Sequence, residues 1–154
     1  MIINYKDLPH KALVSKYLKI LNTANPNTLK HMTDSEITIM VEFLTLPTKF
    51  KDKRFGTLAR NKVVEIFSDR TIPLTKQNLN NKIYSLIDKD VVYRDSDSVL
   101  YAKDYILKGV ASGLEALNTN SAFDVTFRFS YDKERHNTHT KTHVTNDADT
   151  VLQS

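Results

Sequence analysis

Residues Thr71–Ala102 read TIPLTKQNLNNKIYSLIDKDVVYRDSDSVLYA, and the pattern of this stretch decides the fold. Thr75 offers a hydroxyl to cap a helix. Leu79, Ile83, Leu86 and Ile87 recur at i, i+4, i+7 and i+8 on one face, while Lys76, Gln77, Asn80 and Asn81 fall on the other. Val91, Val92 and Tyr93 then lead into the turn formers Asp95, Ser96 and Asp97. Val99, Leu100 and Tyr101 follow with the branched and aromatic bias of a paired strand. The spacing predicts a short amphipathic helix running straight into a two-stranded hairpin.

Three further helices are expected upstream. Pro9 can open the first, because its missing N–H is not needed there, and Leu13, Tyr17, Leu18 and Leu21 line one face until Asn25-Pro26 stops it. Thr33-Asp34-Ser35-Glu36 has the capping-box form directly ahead of Ile37, Met40, Val41 and Leu44, so a second helix runs from there to about Leu46-Pro47. Phe55, Leu58, Ala59, Val63, Ile66 and Phe67 give a third, ending near Ser68. Helices two to four form a tri-helical core, and a helix followed at once by a hairpin makes it a winged helix, with the hairpin as the wing. The expected class is α+β: a mostly helical winged helix-turn-helix core, a small antiparallel wing and an extra C-terminal strand.

Beyond the wing, Leu107, Val110, Ala111, Leu114 and Leu117 are spaced for one more helix face, although Gly109 and Gly113 each weaken such a helix by roughly 1 kcal/mol relative to alanine. Phe123 to Tyr131 then alternates strictly. Phe123, Val125, Phe127, Phe129 and Tyr131 lie on one side, with Asp124, Thr126, Arg128 and Ser130 on the other. A single strand of this kind needs a sheet to join, either the wing or a strand from a neighbouring copy. Asp132–Ser154 has no aromatic residue and little aliphatic character, so it is expected to be mobile without a partner. The chain divides into a winged-helix domain, 1–118, and a C-terminal strand with an extended polar arm, 119–154.

At 154 residues, with 40% hydrophobic and 26% charged residues, the chain is long enough for one domain with a genuine core. It holds no cysteine, which excludes disulfides, thiolate metal sites and a thiol nucleophile. No apolar run is long enough to span a bilayer and no signal peptide opens the chain, so a soluble protein without membrane association is expected. The net charge of +4 says little by itself. Its distribution says more: Lys49, Lys51, Lys53, Arg54, Arg60 and Lys62 are opposed only by Asp52 across residues 49–62.

Gln77, Asn80, Asn81 and Lys82 suit the floor of a DNA major groove, where amides pair with adenine and lysine reaches guanine or phosphate. The wing tip, Asp95-Ser96-Asp97, opposes two carboxylates with Arg94 alone, a poor match for phosphates. His136, His139 and His143 have helical ligand spacing, but their threonine- and asparagine-rich surroundings make a solvated stretch the expected reading, with no metal and no cofactor. His10 and His31 sit near helix starts, and neither a glycine-rich phosphate loop nor G-x-S-x-G occurs, so no catalytic residues are assigned and no enzyme is expected.

The segments MTDSEITIMVEFL (32–44), LTKQNLNNKIYSLIDKDVV (74–92) and YRDSDSVLYA (93–102) together resemble small MarR-like winged-helix proteins of tailed bacteriophages, including the crAss-like group. The resemblance covers under half of the chain. Where such proteins are regulators, it implies DNA contacts from Lys76, Gln77, Asn80, Asn81 and Lys82, which Arg94 joins from the wing, and a dimer built on helix one and the Leu107–Leu117 helix. The acidic wing and long C-terminal extension depart from a standard regulator, and phages also reuse small folds in rings joining portal to tail. The expectation is therefore a virion structural protein, a ring or collar subunit at the head-tail junction, assembled in the host cytoplasm. Phe123, Val125, Phe127, Phe129 and Tyr131 would contact other copies or neighbouring portal and tail proteins. A sequence-specific transcriptional regulator binding double-stranded DNA is the alternative.

Overall fold

The Thr33 hydroxyl accepts a hydrogen bond from the Glu36 amide, and the Glu36 carboxylate accepts one from the Thr33 amide at 2.7 Å, closing the capping box the sequence announces. In the computed structural model, which describes residues 10–119, 121, 126, 129–131 and 142–144, this box opens helix α2 (Asp34–Leu44). Helix α1 (His10–Ala24) precedes it. Helices α3 (Thr57–Ser68) and α4 (Lys76–Asp88), strands β1 (Val92–Arg94) and β2 (Leu100–Ala102), and helix α5 (Asp104–Thr119) follow. Short 3-10 turns at Thr28–Lys30 and Thr48–Lys53 flank α2. The class is α+β, mostly helical with a small antiparallel sheet. Among the described residues no helix is long and apolar enough to cross a membrane.

Helix α2 is buried on nearly every side because α1 packs on one flank and α3 on another, while α1 also carries α5 and α4 leads into β1. One continuous apolar core runs from Leu13 and Leu18 through Met40, Phe43 and Phe55 to Leu79, Leu86, Val92, Leu100 and Ile106. Removing these side chains from water is the main favourable term in folding. Phe43 and Phe55 meet with ring centroids 4.7 Å apart.

Two carboxylates enter that core from α2. Glu42 receives Lys11 at 2.6 Å and Arg70 at 2.8 Å, and Glu36 receives Ser85 and Lys89, each at 2.6 Å. Glu36 and Glu42 are only 2% and 3% exposed, and polar groups so enclosed need hydrogen-bond and charge partners to offset their lost hydration. They tie α2 to α1, to the segment after α3, and to α4.

The weak spot expected in α5 has a packing reason. Tyr17 of α1 donates its hydroxyl to the Tyr105 carbonyl at 3.0 Å, and its ring occupies the space where a Cβ on residue 109 would stand. Gly109 is thus the residue that lets α1 and α5 approach.

The C-terminal strand departs from expectation. Its described part, β3 (Phe129–Tyr131), pairs antiparallel with β4 (Thr142–Val144) of the same chain, in a sheet separate from β1–β2. The β1–β2 hairpin, expected as the wing, is not its partner, and the segment expected to lack regular structure supplies one. The backbone register sets Phe129 opposite Val144, Ser130 opposite His143 and Tyr131 opposite Thr142. Thr126 belongs to no regular element, and Phe123, Val125 and Phe127 lie outside the described residues.

Candidate functional site

Helix α4 begins where the Thr75 hydroxyl accepts a hydrogen bond from the Asn78 amide at 3.1 Å. Leu79, Ile83 and Leu86 are buried, which turns Gln77, Asn81, Tyr84 and Asp88 outward as one stripe. Of the residues proposed to meet DNA, Lys76, Gln77 and Asn81 are exposed and Lys82 is partly covered. Asn80 is committed elsewhere: its Oδ1 accepts from Arg60 Nη1 at 2.8 Å, and Arg60 Nε also donates to the Phe55 carbonyl at 2.8 Å. The amide thus fastens α4 to α3. Tyr84, 60% exposed on the same outer stripe, was not anticipated.

The basic run is divided in the same way. Arg54 donates to the Phe43 and Leu44 carbonyls, filling acceptors left open at the end of α2, and Lys62 pairs with Glu65. Lys49, Lys51 and Lys53 remain exposed on the 3-10 turn, with the Lys49 ammonium 5.2 Å from the Phe50 ring centre.

At the hairpin, Asp95 Oδ1 accepts hydrogen bonds from the Asp97 and Val99 amides at 2.9 and 2.8 Å while Ser98 takes a left-handed φ of 63°. Asp95 is therefore there to build the turn, as short polar side chains do. Arg94 is exposed and donates to the Ser98 carbonyl at 3.2 Å. Tyr93 and Tyr101 face each other across the strands at 5.7 Å, with the Lys103 ammonium 5.3 Å from the Tyr93 ring centre.

A cleft of about 550 Å³ opens between the end of α1, the α1–α2 connection, the α4–β1 turn and the start of α5. No sequence pattern points to it, because its lining residues come from four separated segments. Asp90 turns the chain at its rim with a left-handed φ of 59°, and the Val91 and Asp90 amides bond back to the Leu86 and Ile87 carbonyls, closing α4 in the way glycine usually does. Lys30 spans the turn to Asp90 and to the Asp88 carbonyl. Burial, followed by the charge of Asp90, pushes the Tyr105 hydroxyl up to about 12, so it stays protonated and able to donate.

The remaining histidines offer little chemistry. His31 Nε2 lies 2.6 Å from the Asn25 carbonyl, and His143 sits in β4, an extended segment where helical ligand spacing does not apply; His136 and His139 lie outside the described residues. Among the described residues no three metal-ligating side chains converge. No family model matches the chain, and no curated protein and no solved structure is detectably similar to it.

Proposed function

We propose that this chain is a non-enzymatic structural subunit of a tailed-bacteriophage particle, a winged helix-turn-helix assembled as a ring or collar at the head-tail junction. The observation that carries the reading is the β3–β4 sheet, which stands apart from β1–β2. A two-stranded sheet is marginal in water, and its outer edges suit pairing with a neighbouring subunit. The inward commitment of Arg54, Arg60 and Asn80 supports the same reading, since it takes away part of the polar chemistry a DNA reader would use.

Mass spectrometry of purified particles tests it. Presence at a ring-like copy number is expected, and absence from particles overturns the proposal. Deleting residues 120–154 should leave a folded subunit that fails to enter particles.

A second reading, a duplex-DNA-binding regulator, is favoured by exposed Lys49, Lys51 and Lys53 together with exposed Gln77 and Asn81. It requires retardation of operator-length DNA with a steep salt slope, and loss of sequence preference in a Gln77→Ala/Asn81→Ala variant.

A further inference from the structure

In the cleft beside Asp90 most side-chain acceptors are committed while several donors are not. Asn22 Oδ1 accepts from the Met32 amide, Asn25 Oδ1 from the Asn27 amide, Asn27 Oδ1 from the Leu29 amide and Asp90 Oδ2 from Lys30. Among the described residues, the Nδ2 groups of Asn25 and Asn27 and the Tyr105 hydroxyl have no hydrogen-bond acceptor, and Lys103 has no carboxylate within salt-bridge distance. Lys30, Lys89 and Lys103 line the cleft against Asp90 alone. Lys89 is neutralised by Glu36 and Lys30 by Asp90, which leaves Lys103 as the uncompensated charge. Leu21, Met32, Val91 and Ile106 supply an apolar wall. Such a site takes a group rich in acceptors, carrying carboxylates next to aliphatic carbon.

We propose that this cleft receives residues 146–152 of a second copy of the chain. That segment, Asn-Asp-Ala-Asp-Thr-Val-Leu, carries two carboxylates and no cation, followed at once by two aliphatic side chains. Asp147 and Asp149 match Lys103 and the free amide donors of Asn25 and Asn27, and Val151 and Leu152 match the apolar wall. The inference rests on the assembly reading above and names the surface on which the C-terminal arm docks.

Sedimentation of the full chain over a range of concentrations tests it by charge exchange. Lys103→Glu alone, and Asp147→Lys with Asp149→Lys, should each weaken self-association about tenfold, and the three changes combined should restore most of it. Tyr105→Phe should weaken it by a smaller factor. Unchanged thermal melting of each variant separates a docking effect from damage to the fold. The proposal is overturned if the unaltered chain stays monomeric, if the Asp147/Asp149 reversal leaves association untouched, or if the combined variant fails to recover. It is also overturned if succinate alone raises the melting temperature of the unaltered and Asp147/Asp149-reversed chains equally, which would assign the cleft to a small carboxylate. A chain present in particles but insensitive to these reversals would remove this inference and leave the proposed function standing.

Discussion

The ring of Tyr17 lies against the bare backbone of Gly109, where any side chain would overlap its hydroxyl and ring carbons. Helix propensity alone favours Gly109→Ala by roughly 1 kcal/mol, but overpacking of this kind costs about 1–3 kcal/mol and forces α1 away from α5. The expected result is a lower melting temperature for Gly109→Ala, partly recovered by adding Tyr17→Leu. A Gly109→Ala variant that melts higher than the native chain would mean that propensity outweighs the packing.

Acid sensitivity should centre on Glu36. Burial pushes its carboxyl up, but hydrogen bonds from Lys89, Ser85 and the Thr33 amide, with the Lys89 charge, more than offset this and hold it below the ordinary value of 4.5. A group depressed in the folded state stabilises the fold above its unfolded value, and that contribution is lost as pH falls through the folded one. Melting temperature should therefore drop as pH is lowered through and below 4.5, and Glu36→Gln should flatten that drop. An unchanged pH profile in Glu36→Gln would exclude this carboxylate as the source.

Glu42 gives an asymmetric prediction. Lys11 and Arg70 are well exposed and Glu42 is not, so removing both cations strands a buried carboxylate, at a cost of about 3–5 kcal/mol. Replacing Glu42 itself with methionine removes the charge that needs compensation. Denaturant unfolding should therefore rank Lys11→Met/Arg70→Met as clearly less stable than Glu42→Met.

The Arg60–Asn80 hydrogen bond separates structure from recognition on α4. Asn80→Ala should cost about 1–2 kcal/mol, as expected for losing a charge-assisted bond, and Arg60→Ala should cost at least as much. Gln77→Ala and Asn81→Ala, at exposed positions, should stay within about 0.5 kcal/mol of the native chain. Equal losses at positions 77, 80 and 81 in thermal melts would contradict this division.

Much of the helical scaffold was legible because its signals are local. The Thr33–Glu36 box, the Thr75 cap and the stripes at i, i+4 and i+7 lie within one or two turns of chain. What stayed hidden depends on partners far away in sequence. Glu36 looked like a capping residue and also proved to be a buried anchor for Ser85 and Lys89, some fifty positions on. Asn80 reads as a base contact in sequence, yet its oxygen is held by Arg60, and Gly109 reads as a weak point, yet it makes room for Tyr17. Strand β4 gives no sequence signal, because three residues in a polar tail carry too short an alternation to stand out. The cleft left no trace in the sequence, since its chemistry comes from loops that meet only in the folded chain.

Helix α2 bears one carboxylate in its first turn, fastened to α4, and another near its last, fastened to α1 and to Arg70. Rotating this helix by one residue, or sliding it by one, would strip both anions of their cations at once, so it behaves as a keyed shaft with no intermediate stop. Its neighbours are then obliged to open together, and amide protons in α1, α2 and α4 should exchange with solvent through a single shared event.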